Sequence, residues 1–325
     1  MRILWQARDE RIDGSLNFEI AYQERSLTVA SSPELDHVIG IMKAIRAKPP
    51  ADIHEARAVL DQALGGFTPP SDVTVFDVDA AGVPCQWITA PDVPQNRLII
   101  YYHGGAYATC SSTTHQDLIS RLSRASGAAA LGVDYRLAPE HPFPAAVDDS
   151  IAAYNWALGH GFEPSNIVLA GDSAGGGLVL SVLLAARDGG IPMPAAGVCF
   201  SPWVDLECTG ESMVANDHLD DFVKYGGLSA RAQSYLGGAD PKHPLASALH
   251  ADLRGLPPLL VHVGSVETLL DDSSRLVEAA KRAGVEATLK IWDDMVHVWQ
   301  AFASILPEGR QSIEESGAFI RERLG

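Results

Sequence analysis

Short apolar runs alternate with amphipathic stretches along the chain from residue 97 onward. Each run is almost continuously apolar, which is typical of a strand that is buried on both faces of a sheet. Their alternation with helical patterns predicts an α/β fold built on a mostly parallel sheet. The runs are residues 97–103, 129–134, 167–172, 196–200, 258–263 and 287–292.

The first hundred residues have a different pattern. Residues 32–65 predict two helices, because Ser32 can cap a helix that has Pro33 at its first position, and a break follows at Lys48-Pro49-Pro50. Residues 73–78 alternate in polarity and predict a strand that pairs with residues 86–90. Residues 1–31 show no clear periodicity, and we expect them to be mostly irregular or a short helix.

One segment interrupts the alternation of strands and helices. Residues 205–240 are polar and contain the pairs Gly226-Gly227 and Gly237-Gly238. Such a segment predicts an insertion that lies over the sheet.

Composition narrows the class of protein. The chain has 325 residues, 46% of them hydrophobic, and a formal net charge of −17. A chain of this size and apolar content is long enough to bury a sizeable core, and we expect it to form one large α/β domain. An acidic chain argues against nucleic acid and anionic membranes as partners, because both are bound through basic patches. We expect a small molecule as the partner, and the acidic charge favours a ligand that is neutral or cationic.

The N-terminus, the lengths of the apolar stretches and the spacing of the cysteines predict the compartment and the state of the thiols. The N-terminus meets charged residues at once, and no stretch reaches the ~20 apolar residues of a membrane span, so we expect a cytoplasmic protein. The cysteines show no metal-ligand spacing and are expected to be free thiols. They are Cys85, Cys110, Cys199 and Cys208.

The most informative motif surrounds Ser173. The sequence Gly171-Asp172-Ser173-Ala174-Gly175 matches G-x-S-x-G, with an apolar run before it and a glycine-rich apolar stretch after it. A strand, a sharp turn and a helix in that order lift a serine out of the sheet as a nucleophile. Glycines on both sides suit a tight, strained turn.

A serine nucleophile needs a base and an acid that orients the base. His297 follows the last predicted strand, and an acidic segment, residues 264–272, follows the strand before it. Both positions are at the carboxyl ends of strands, where open α/β sheets place their sites. The chain order serine, acid, histidine is that of the α/β hydrolases. His262 lies within a strand and is expected to be a core residue.

Oxyanion donors are predicted where a strong apolar strand ends in His103-Gly104-Gly105-Ala106. We expect the amides of Gly104 and Gly105, together with that of Ala174, to hold the charge that develops on the substrate oxygen. His103 itself is expected to brace this loop rather than to act in catalysis.

Together these motifs resemble the hormone-sensitive-lipase-like family of α/β hydrolases, bacterial esterases with an HGGG loop and a GDSAGG nucleophile turn. Further matches are residues 134–140, 141–149 and 201–206, so the likeness covers roughly residues 70–305. The resemblance implies an α/β-hydrolase fold with an eight-stranded, mostly parallel sheet and a helical cap. It implies a cap segment at 1–66, a catalytic domain at 67–325 and a second cap insertion at 205–240.

The resemblance also implies roles for single residues. Ser173 is the nucleophile and His297 the base. The acid is Glu267 rather than Asp271, because Glu267 takes the first acidic position of the family's D-x-L-x-D pattern. Ala106 replaces the third glycine of HGGG, and we expect an oxyanion hole of slightly altered geometry. The resemblance assigns structural roles to Arg136, Glu140 and Asp148.

The predicted function is hydrolysis of short- to medium-chain carboxylic esters through an acyl-enzyme, with no metal and no cofactor. A lactone hydrolase with the same machinery is an alternative, and a non-catalytic ligand receptor of the same fold is another. A homodimer through the last strand is possible for such a protein. Position alone suggests five pocket residues, Tyr107, Cys110, Trp203, Phe222 and Trp299.

Overall fold

The computed structural model describes residues 32–325, and the expectations for residues 1–31 lie outside it. The described residues form an eight-stranded sheet with the order β1-β2-β4-β3-β5-β6-β7-β8. The prediction of an α/β fold with eight strands is confirmed. The strands are β1 (Thr74–Ala80), β2 (Val83–Thr89), β3 (Leu98–Tyr102), β4 (Ala129–Val133), β5 (Ile167–Asp172), β6 (Ala196–Phe200), β7 (Leu259–Gly264) and β8 (Ala287–Trp292).

Strand pairing follows the hydrophobic pattern. The alternating strands β1 and β2 form an antiparallel hairpin, and β2 also runs antiparallel to β4. Every pair from β4 to β8 is parallel. These parallel strands need helical crossovers, which cover both faces of the sheet.

The helices begin where the sequence offers caps. Ser32 Oγ accepts a hydrogen bond from the amide of Leu35, and Asp52 accepts one from the amide of Glu55. The helices are α1 (Pro33–Arg46), α2 (Ile53–Leu64), α3 (Gln116–Ser126), α4 (Ala145–Gly159), α5 (Ala174–Gly189), α6 (Ser212–Ala215), α7 (Tyr225–Leu236), α8 (Leu270–Arg282) and α9 (Pro307–Leu324).

The core has one layer on each side of the sheet. Side chains alternate along the strands, so Ile100 of β3 packs in the layer that contains Leu178 of α5 and Tyr154 of α4. Its neighbour Ile99 packs on the other face, in the layer that contains α3 and α9. The sheet is therefore fixed on both faces, and its carboxyl edge is held rigidly.

A third apolar cluster attaches α1 to the loop that follows β8. Leu35, Val38 and Met42 of α1 pack with Met295 and Phe302 of that loop. The N-terminal helices thus lie beside the segment that carries His297. The predicted insertion at 205–240 contains α6 and α7.

Three further expectations concern the surface and the thiols. Strand β8 is at the edge of the sheet, with Ile291 exposed, and the homodimer through this strand stays a prediction. No helix within residues 32–325 is long and apolar enough to cross a membrane. The four cysteines are buried free thiols, as predicted.

Candidate active site

Ser173 lies at the turn between β5 and α5. Its backbone is strained, with φ 51° and ψ −118°. The turn closes only because Gly175 has no side chain: a Cβ there would collide with the carbonyl oxygen of Tyr102. The tight turn of the predicted motif is therefore present, and it holds Ser173 at the carboxyl edge of the sheet.

His297 is bonded to Glu267. His297 Nδ1 lies 2.8 Å from Glu267 Oε2, and both side chains are buried. The other carboxylate oxygen accepts hydrogen bonds from Ser201 Oγ at 2.7 Å and from the amide of Gly264 at 2.6 Å. The carboxylate is thus fixed in place, and the Nδ1–H of His297 can donate to it while Nε2 stays open.

Asp271, the other candidate acid, is occupied elsewhere. It lies in the first turn of α8, where its Oδ2 accepts a hydrogen bond from the amide of Ser212 at 2.9 Å. Asp293 follows β8 and is exposed. Of the acidic residues considered from the sequence, the structure brings Glu267 to His297.

The neighbourhood of His297 favours its protonated form. Burial by itself lowers the pKa of His297, but the hydrogen bond and the negative charge of Glu267 outweigh it and raise the pKa above its ordinary value. A base in this setting accepts a proton readily, because the imidazolium it becomes is stabilised.

Ser173 and His297 line the same cavity, which has a volume of about 200 Å³. Four of its lining residues have positive φ without being glycine, Ala106, Cys110, Ser173 and Val298. Strained backbone of this kind concentrates at functional sites. Apolar side chains form most of the remaining wall, among them Met42, Leu60, Leu64, Leu228 and Phe302.

Residues 103–106, which we call the oxyanion loop, differ from the prediction at Gly104. The amide of Gly104 donates to Asp172 Oδ1 at 3.0 Å, and Gly104 does not line the cavity, so its prediction as a donor is wrong. Gly105 and Ala106 do line it. The available amides therefore begin one residue later than predicted. The reason is that β3 ends at Tyr102 and the amide of Gly104 is still bonded to Asp172, the last residue of β5.

Comparison with known proteins identifies the family of this chain. A family model described as alpha/beta hydrolase fold matches residues 99–301. An acetyl-hydrolase of Streptomyces hygroscopicus is 43% identical over 91% of this chain and 98% of its own. A crystal structure of an esterase from the bacterial hormone-sensitive lipase family is 50% identical, with a TM-score of 0.90 over 91% of this chain and 99% of the other.

The chain belongs to the hormone-sensitive-lipase-like α/β hydrolases. It is therefore an enzyme that hydrolyses carboxylic esters, which excludes the non-catalytic receptor considered from the sequence. Another similar structure is that of EstE5 soaked with p-nitrophenyl butyrate, 47% identical with a TM-score of 0.86 over 90% of this chain and 99% of the other.

Asp172 has a role in this hydrolase that the sequence did not suggest. Its carboxylate is buried and accepts hydrogen bonds from Gly104 N and, at 2.8 Å, from Tyr101 Oη. His115 Nε2 lies 3.3 Å from its second oxygen. His115, which directly precedes α3, also lines the cavity, because the packing of α3 against the sheet brings it there.

The two histidines expected to be structural are so in the hydrolase. His103 stacks on Tyr135 at 4.3 Å and donates from Nδ1 to Gly104 O, and burial lowers its pKa to about 4. His262 is fully buried beside Ser312 Oγ, and burial lowers its pKa to about 3. Both rings therefore stay neutral near pH 7 and brace the structure.

Two of the five predicted pocket residues line the cavity, Cys110 and Phe222. The prediction is wrong for Tyr107, which stacks on Tyr235 at 3.8 Å in the core. It is also wrong for Trp203 and Trp299. Both indoles are fully buried, and each donates from Nε1 to a backbone carbonyl away from the cavity.

Burial raises the pKa of the Cys110 thiol to about 12. The thiol therefore stays protonated, and it does not compete with Ser173 as a nucleophile.

Two of the three charged residues that were assigned structural roles form ion pairs. Arg136 makes a bidentate pair with Asp149 at 2.8 Å, whereas Asp148 is exposed. Glu140 pairs with Arg57 of α2 at 2.7 Å. Arg57 also donates to the carbonyls of Ala108 and Ala138, so it ties α2 to the segment that follows the oxyanion loop.

One group of side chains has the spacing of metal ligands. The ligand atoms of Asp205, Glu207 and His250 lie within 4.8 Å of one another. Arg275 already pairs with Asp205 at 3.0 Å, and Lys242 lies 3.6 Å from Glu207. The negative charge that would attract a cation is therefore largely neutralised.

Proposed function

We propose that this protein is a carboxylesterase for short- to medium-chain acyl esters that acts through Ser173, His297 and Glu267. The observation that carries the proposal is that His297, bonded to the buried carboxylate of Glu267, lines one cavity together with a serine on a strained turn. Serine, histidine and a carboxylate are the residue types that a serine hydrolase needs.

In the first step Ser173 Oγ attacks the ester carbonyl while Nε2 of neutral His297 takes its proton. Glu267 holds the Nδ1–H, so the lone pair of the ring is on the nitrogen that faces the reaction. The negative charge moves to the former carbonyl oxygen. We infer that the amides of Gly105, Ala106 and Ala174 receive this oxygen, and the last of them starts α5, where helix amides have no partner within the helix.

In the second step the imidazolium gives its proton to the leaving alcohol, and the acyl group stays on Ser173. Water then attacks the acyl-enzyme, with His297 again acting as base, and releases the acid. Both halves use the same charge stabilisation by Glu267 and by the oxyanion donors. No metal or cofactor takes part in these steps.

The shape of the cavity supports small acyl groups. Its volume of about 200 Å³ is below the roughly 300–1,000 Å³ of common ligand pockets, and its walls are mostly apolar. We infer that α1, α2 and residues 205–240 act as the cap, because Met42, Leu64 and Leu228 from these segments line the cavity. The acetyl-hydrolase and the EstE5 structure soaked with p-nitrophenyl butyrate are consistent with short chains.

The test is hydrolysis of p-nitrophenyl acetate, butyrate, octanoate and laurate, with γ-butyrolactone as a cyclic ester. We expect the highest kcat/KM at the shorter chains and a loss on the order of 10⁴-fold or more in Ser173→Ala. Ser274→Ala makes the same chemical change on α8, outside the cavity, and serves as the control. Turnover that survives in Ser173→Ala would disprove the mechanism, and preference for the lactone would favour the alternative substrate class.

A further inference from the structure

Arg231 of α7 is the one arginine on the wall of the catalytic cavity among the described residues. It is half-buried and follows Leu228 by three residues, so both side chains lie on one face of α7. A second cavity adjoins the first, and the two share Leu60, Phe222 and Arg231 as lining residues. Arg231 therefore lines both the cavity that contains Ser173 and the cavity next to it.

Arg231 has no hydrogen-bond or ion-pair partner in the part of the chain that the structure describes. The neighbouring cations are all engaged: Arg57 with Glu140, Arg46 with the carbonyl of Asp221, and Lys48 with Glu55. A guanidinium offers five N–H donors in a planar fork. Removing that charge from water without a partner costs free energy, so a purely structural arginine would be expected to have one.

Burial lowers the pKa of Arg231, and the positive charge of Arg57 acts in the same direction. Both causes mean that the protonated guanidinium lacks compensating negative charge where it is. A bound anion would supply that charge.

The second cavity has a positive wall in an acidic protein. Arg46, Lys48 and Arg231 line it, and no carboxylate does so among residues 32–325, although the chain has a net charge of −17. Its other walls are apolar, formed by Ile45, Pro49, Pro50, Ala56, Val59, Leu60 and Phe222.

We propose that Arg231 forms an anion subsite and that the preferred substrate is an ester that carries a carboxylate at its far end. Arg46 and Lys48 are already engaged, so one free guanidinium matches one negative charge, and its fork fits a carboxylate in bidentate geometry. An apolar spacer would lie along Leu60 and Phe222, between the scissile ester at Ser173 and the carboxylate at Arg231. This inference rests on the proposed function and adds the substrate class to it.

The experiment compares matched pairs of esters. For the acyl side the pair is mono-p-nitrophenyl adipate, suberate or sebacate and the derivative whose free carboxylate is an N-methylamide. For the alcohol side the pair is 6-acetoxyhexanoate and its N-methylamide, followed by titration of released acid. The readout is the ratio of kcat/KM for the anionic ester to that for its neutral partner.

We expect this ratio to exceed one for at least one spacer length and to fall by about 10- to 100-fold in Arg231→Gln, the range for loss of a hydrogen bond to a charged group. Arg231→Lys keeps the charge without the fork and should retain part of the preference. The ratio should also decline as NaCl rises from 0.05 to 0.5 M. Arg254→Gln removes an exposed arginine elsewhere and should leave the ratio unchanged.

Several results would overturn the proposal. One is a ratio at or below one for every spacer on both sides, and another is a ratio that Arg231→Gln does not change. If Lys48→Gln lowers the ratio as much as Arg231→Gln, the preference comes from diffuse charge and not from a subsite at Arg231. Should Arg231→Gln fail to fold, Arg231→Lys and the salt series decide the question in folded enzyme.

The neutral esters separate this proposal from the proposed function. If wild-type enzyme does not hydrolyse them, or if Ser173→Ala hydrolyses them as fast, the proposed function fails. If wild-type enzyme hydrolyses them at Ser173 and the kcat/KM ratio is the same in Arg231→Gln, only the proposal of an anion subsite fails.

Discussion

The inner and outer parts of the catalytic cavity are built in different ways. The inner part consists of Ser173, His297 and Glu267 at the carboxyl ends of strands, with buried side chains and fixed hydrogen bonds. The outer part consists of side chains from α1, α2 and α7, several of them half-buried. They include Arg231, which has no partner among the residues that the structure describes.

We infer that the inner groups serve the chemical steps and that the outer groups set the substrate preference. The inner groups are set by short sequence motifs next to strands, whose positions the sheet determines. The outer groups come from helices far apart in the chain, and they meet only through packing. We therefore expect substitutions inside to change kcat most and substitutions outside to change substrate preference and stability most.

Glu267→Gln gives the largest expected change among the inner groups after the nucleophile itself. The amide cannot stabilise the imidazolium, and we expect kcat to fall by roughly 10³- to 10⁴-fold. Neutral His297 is the active form, so wild-type activity falls as the pH drops through its raised pKa. Without the charge of Glu267, burial dominates, the pKa of His297 falls, and the acid limb of the kcat profile moves to lower pH.

Asp271→Asn is the matched control for this prediction, because Asp271 bonds to the amide of Ser212 and not to His297. We expect its kcat to stay within about tenfold of wild type and its pH limb to stay in place. The assignment of the acid would have to be reversed if Asp271→Asn were the more damaging change.

Asp172→Ala tests whether the oxyanion loop belongs with the inner, rigid part. Loss of the acceptor for Gly104 N should let the loop shift, and misplacement of about 1 Å can cost on the order of 100-fold, so we expect kcat to fall about 10- to 100-fold. Asp172→Asn keeps an oxygen for this amide and should recover much of the loss. An unchanged kcat in Asp172→Ala would mean that the loop is held by other contacts.

Arg57→Met tests the attachment of the outer part. The variant loses the pair with Glu140 and the bonds to two carbonyls, and we expect a decrease of about 1–3 kcal/mol in the free energy of unfolding, measured in urea. KM should rise more than kcat falls. Arg124→Met removes an exposed pair with Asp72, which solvent screens, and should cost much less than Arg57→Met. Equal costs would show that α2 does not depend on Arg57.

Ala106→Gly has the smallest expected effect. Ala106 has φ 52°, a conformation that glycine adopts without a steric penalty, so we expect a gain of about 1 kcal/mol at most in the free energy of unfolding. Activity should remain within about threefold, because the amide of residue 106 is kept. A large loss of kcat would show that the methyl group positions the loop.

Much of the inner site was predictable from the sequence. The Ser173 turn, the loop of His297 after the last strand and the acid at Glu267 all follow strands that were recognisable as apolar runs. These positions were predictable because parallel strands place their carboxyl ends at one edge, so distant segments converge without further information. Gly104 was predicted wrongly, since only the register of β3 against β5 decides which amide is bonded to Asp172.

The sequence by itself determined the fold class, and it predicted the turn of Ser173 and the loop of His297, because strand periodicity and tight-turn glycines are local properties. Only the tertiary structure decided that Trp203 and Trp299 belong to the core, that His115 reaches the cavity, and that Arg231 lines it without a partner among residues 32–325. Those outcomes depend on how the helices and loops pack against the sheet. A side chain's neighbours in such packing come from the whole chain, and no local pattern encodes them.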